Sequence, residues 1–110
     1  MTERGPFIVL LETLRVRTPM YLGSWSITRL RSYLSGYGHA LYDMGRDETD
    51  PEWSGFQKWV ERRYRSETTH GWDSLILFYN QDERDALEEF WKLLDEYLAE
   101  YRSGETEAGA

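Results

Sequence analysis

The sequence predicts an all-α fold, a compact bundle of about five helices in a single domain. Three observations lead there. Apolar residues recur at helical spacing over two long segments, 27–44 and 87–101. Residues that start and stop helices fall between the periodic segments, Gly45 and Asp50-Pro51 most plainly. One short apolar run, Leu75-Ile76-Leu77-Phe78-Tyr79, has strand propensity, but no second strand is apparent to pair with it.

In chain order, the first helix is expected over residues 6–15. Pro6 suits a first turn, where a missing N–H loses no bond. Thr18-Pro19 should end the segment, because the residue before a proline avoids the α region. Met20-Tyr21-Leu22-Gly23 then reads as a loop pinned to the core, with Gly23 at positive φ. Ser24 or Ser26 caps a second helix over 27–44, where Ile27, Leu30, Leu34, Tyr37, Leu41 and Met44 form one stripe. Gly36 and Gly38 inside it suggest the close approach of another helix, and Gly45 is a stop. Asp50-Pro51-Glu52 opens a third helix over 51–65, with Trp53, Phe56, Val60 and Tyr64 inward and Trp59 beside them. Thr68 or Thr69 is expected to cap a fourth, shorter helix through Trp72, Leu75, Ile76 and Tyr79. A fifth starts at Asn80 or Asp82 and reaches about residue 102. Leu87, Phe90, Trp91, Leu94, Tyr97, Leu98 and Tyr101 make its apolar face. Gly104 should end it, giving a helical domain over 1–103 and a flexible polar tail over 104–110.

With 110 residues, 40% of them hydrophobic and 15% aromatic, the chain is large enough for one core. It has no Cys, which excludes disulfides and thiolate metal sites. The longest apolar run, residues 7–11, is far short of a membrane span, and residues 1–6 do not form a signal peptide, so a cytoplasmic protein is expected. The net charge of −7 is uneven: residues 1–40 carry +3 and residues 71–110 carry −8. That acidic third disfavours nucleic acid and anionic lipid as partners and suits a basic one. Solubility alone also accounts for an acidic face.

No constellation for catalysis stands out, and a non-enzyme without cofactor or metal is expected. Ser66, His70 and Asp73 are near one another in sequence, but triad groups are gathered by the fold and not by sequence proximity. His39 lies off the apolar stripe. The acids Asp43, Asp47, Glu48, Asp50 and Glu52 lack the alternation and the glycine position of a calcium loop, and capping and solvation explain them. No phosphate-binding glycine pattern is present. Lys58, Arg62, Arg63 and Arg65 with Tyr64 make a small basic-aromatic patch, which the overall charge argues against as a nucleic-acid site.

Residues 17–23, Arg-Thr-Pro-Met-Tyr-Leu-Gly, are similar to an R-P-G-M-Y-[IL]-G element of type II topoisomerase ATPase domains. The D-x-G-x-G of that fold is missing and the chain is too short for it, so an ATPase is excluded. A second resemblance covers most of the chain. It runs through Met20-Tyr21-Leu22-Gly23, Tyr33-Leu34, Gly36-Tyr37, Phe56-Gln57, Trp59-Val60, Arg63-Tyr64 and Trp72. It continues through Ile76-Leu77-Phe78-Tyr79, Ala86-Leu87, Phe90-Trp91, Leu93-Leu94 and Tyr97. This order resembles a family of small bacterial proteins akin to the immunity proteins of polymorphic-toxin loci. The resemblance implies a domain that binds a protein partner, such as a basic toxin domain. The charge pattern makes Asp85, Glu88, Glu89, Asp95 and Glu96 the candidate partner-binding residues, with Asp47, Glu48 and Asp50 as a second patch. Each also fits a solvated helix face or a cap. The alternative expectation is a structural or regulatory homo-oligomeric module, such as a homodimer, that shares the long stripes of the second and fifth helices between copies.

Overall fold

A computed structural model describes residues 5–46, 50–67 and 70–109, with side chains as far as Gly104. The fold is all-α. Seven helical segments occur among the described residues: α1 (Pro6–Val16), α2 (Thr18–Leu22), α3 (Ile27–Asp43), α4 (Pro51–Ser54), α5 (Phe56–Arg63), α6 (Trp72–Phe78) and α7 (Glu83–Gly109). The four helices α3, α5, α6 and α7 pack on one another, and α1, α2 and α4 flank them. No described helix is long and apolar enough to cross a membrane.

The extra segments come from two local corrections. The expected loop Met20-Tyr21-Leu22 is a one-turn helix, α2. Pro19 sits in its first turn, where its ring breaks no helical bond. The buried Thr18 hydroxyl donates to the Leu14 carbonyl at 2.8 Å and ties the two helices together. The helix expected over 51–65 is broken at Gly55 into α4 and α5. A Cβ at Gly55 would lie 2.7 Å from the Tyr97 hydroxyl, so glycine is what lets α7 come this close. Gly23 takes the positive φ expected for a turn, 81°, and Gly45, expected as a helix stop, has φ 71°. Gly104 does not act as one, since the backbone stays helical to Gly109. The stop motif needs a left-handed residue, and nothing in the chain after Gly104 forces one.

The core is a block of rings. Phe56 is wholly buried and meets Trp53, Trp59, Trp72, Phe90 and Tyr97 at centroid distances of 5.3–6.2 Å. From α7, Leu87, Phe90, Leu94 and Tyr97 face this block. From α3, Ile27, Leu30, Leu34 and Leu41 are buried, Tyr37 is half-buried, and Met44, expected to continue the stripe, is 63% exposed because the helix has ended.

Helix starts are secured partly by side chains from other helices. Ser26 accepts from the Arg29 N–H and caps α3, as one of the two serines was expected to do. Glu83, at the start of α7, reinforces that end: it accepts from the Ser26 and Thr28 hydroxyls at 2.7 Å and from the Thr28 N–H at 2.9 Å. The start of α6 follows Gly71, and its Trp72 N–H donates to Gln57 Oε1 of α5 at 2.6 Å. Thr68 and Thr69, expected as caps there, lie outside the described residues.

Burial raises the Glu83 carboxyl, but the hydrogen bonds from Thr28 and Ser26 together outweigh it and hold the group below its ordinary value of 4.5. Its stabilising contribution is therefore complete above that value, which the unfolded chain keeps. The contribution is lost as pH falls through the lower folded value. Urea unfolding of the Glu83→Gln variant should accordingly lose less stability than the wild type between about pH 6 and pH 3. Parallel acid limbs for the two proteins would contradict this role.

Candidate functional site

The acids singled out in the sequence do not form one surface. On α7, Asp85, Glu89 and Glu96 repeat with Lys92 along one line of the helix, spaced four, three and four, and Glu88 lies beside them. Asp95 lies about 80° around the helix from Asp85 at 100° per residue. There it accepts two hydrogen bonds from Arg15 of α1, at 2.7 and 2.8 Å, while the Arg15 guanidinium lies over the Trp91 ring. Those Arg15 bonds hold the Asp95 carboxyl below its ordinary range. Glu96 pairs with Arg63 of α5 at 3.6 Å, and Glu88 with Arg84 at 3.6 Å. Asp95 and Glu96 therefore stitch helices together.

Asp50 is a correction. It was expected on a surface patch, but it is 6% exposed. One carboxylate oxygen accepts from the Trp53 N–H and caps α4 (3.2 Å), and the other accepts from the Phe7 N–H at 2.9 Å at the start of α1. Its charge offsets the positive ends of two helices. Asp47 and Glu48, its expected companions, lie outside the described residues.

Beside the α7 acids lie two exposed rings that charge alone did not reveal. Phe78 is 79% and Tyr79 52% exposed, at the C-terminal end of α6. Tyr79 stacks on Tyr64 at 4.7 Å and 4°. Burial lifts the Tyr64 phenol above its ordinary range, and the nearby Glu89 carboxylate adds to this. The two rings form a ridge between two depressions. Asn80, Gln81, Asp85, Glu88, Glu89 and Lys92 line one of them. Ser66, His70, Ser74 and Leu75 line the other. The signal was present in the run 75–79: five consecutive apolar residues at about 100° apiece cannot all face inward.

Of the three residues close in sequence, Ser66 and His70 line one depression, and Asp73 lies at the start of α6. Asp73 faces Arg31 at 3.7 Å, and the His70 carbonyl accepts from Gln57 Nε2 at 3.2 Å. Among the described residues, no three His, Asp or Glu side chains are placed to hold a metal ion. Comparison with protein-family models, with curated proteins and with solved structures returned no match.

The two kinds of acid separate on mutation. Asp50→Ala should lower unfolding free energy by about 1–2 kcal/mol or more, as lost helix caps do. Glu88→Gln should change it by less than about 0.5 kcal/mol. Equal effects of the two in denaturant titrations would contradict the assignment.

Proposed function

We propose that the chain is a non-catalytic protein-binding domain of the immunity type, which neutralises a cognate bacterial toxin by covering its working surface. The binding face is the corner of α6 and α7. Phe78, 79% exposed beside Asp85, Glu88 and Glu89, is the observation that carries this reading. Phe78 and Tyr79 put two adjacent rings in water, and aromatic anchors with a polar rim are the usual core of a protein interface. The carboxylates suit a basic partner and would speed its approach. A platform of packed helices has little left to order on binding, which favours tight association.

The homo-oligomeric alternative rested on sharing the long apolar stripes between copies. Most of those residues face the protein's own core, so an oligomer would have to use another face.

The test is calorimetry and growth rescue with a toxin domain encoded beside this chain. A tight complex is expected, which Phe78→Ala or Tyr79→Ala weakens by about 2 kcal/mol or more without loss of fold. Glu88→Lys with Glu89→Lys should slow association and reduce its salt dependence. No complex with the neighbouring toxin and no rescue would overturn the proposal.

A further inference from the structure

α3 carries two apolar stripes, and only one is buried. On the solvent side, Tyr33, Gly36 and Ala40 follow at spacings of three and four, all of them exposed, and Met44, just past the end of the helix, is 63% exposed. From Ser32 to Tyr42 the chain has no Asp, Glu, Lys or Arg, although 30% of its residues are charged. A helix face that stays in water normally carries charge, whereas the centre of an interface is depleted of it and enriched in Tyr and Met. Gly36 serves nothing inside the protomer. A Cβ there would meet no atom within 4 Å, yet glycine in a helix interior is unfavourable. Gly38 differs, because a Cβ there would press on the Phe7 ring at 3.3 Å.

We propose that this face binds the same face of a second copy, with the two α3 helices antiparallel and a two-fold axis at Gly36. Charge points to a second copy. About that axis, residues equally far before and after Gly36 oppose one another. Arg29 and Asp43 each lie seven residues from it, so each Arg29 meets Asp43 of the other copy, and the contact is closed by two opposite-charge pairs. Both are exposed on the outer side of α3: Asp43 is 64% exposed beside His39, and Arg29 gives one Nη to the Leu22 carbonyl with further N–H groups left over. Tyr33 opposes His39, and Ser32 opposes Ala40. Gly36 against Gly36 lets the backbones close in, and antiparallel helix dipoles attract. Elsewhere, two chains of net charge −7 repel.

The test is light scattering and sedimentation of the full chain over a micromolar concentration series. The wild type should sediment as a dimer of the 13.1 kDa chain. Gly36→Leu should raise the dimer dissociation constant at least about tenfold, as a clash at an interface centre does, with circular dichroism and Tm preserved. Arg29→Asp and Asp43→Arg should each be monomeric alone and form a dimer when mixed, because the mixture restores both charge pairs. A monomeric wild type, a dimer indifferent to Gly36→Leu, or a mixture that stays monomeric would each overturn the proposal. None of these readouts depends on Phe78 or on the toxin.

Discussion

The apolar stripe of α7 is the constraint on which the rest of the structure depends. Ala86, Leu87, Phe90, Trp91, Leu93, Leu94, Tyr97 and Leu98 are all buried. α4, α5 and α6 have only four, eight and seven residues. Isolated helices below about 12 residues are marginal in water. These segments are helical because their rings pack on α7 and on one another, with Trp72 against Phe90 at 4.9 Å and Phe56 against Phe90 at 5.5 Å. A helix held only by packing ends where packing ends. This is why α6 stops at Phe78 and leaves the aromatic ridge in solvent.

The same logic governs the charged groups. α1 and α6 both follow a glycine and have no side-chain cap of their own. Asp50 and Gln57 supply these caps from distant positions, and Glu83 adds to the Ser26 cap of α3. Together with Arg15–Asp95 and the Arg102–Glu52 pair, in which Glu52 is 5% exposed, these contacts fix how the short helices meet. Much of the acidity that looks like a docking surface is thus internal fastening. Asp85, Glu88 and Glu89 lie beside the exposed Phe78 and Tyr79 rings.

The long periodic segments were legible in the sequence, as were the Gly23, Gly45 and Asp50-Pro51 boundaries, because they depend on local chemistry. The break at Gly55 was not, since it answers to the Tyr97 hydroxyl 42 residues away. Thr18-Pro19 was read correctly as the end of α1, but it also begins α2, which depends on how Leu22 is buried. For the candidate site, the line of acids on α7 was readable from spacing. Which of them would face an arginine, and that Asp50 would be buried against Phe7, required the fold. Phe78 and Tyr79 were hidden inside an apolar run whose inward share only the packing decides.

Native-state hydrogen exchange tests most directly whether α7 is the platform. Amides of residues 86–98 should exchange only by global unfolding and be the slowest in the chain, with α5 and α6 protected to nearly the same free energy. If the amides of α7 opened more readily than those of α1 or α3, α7 would be resting on the other helices, and the account would be contradicted.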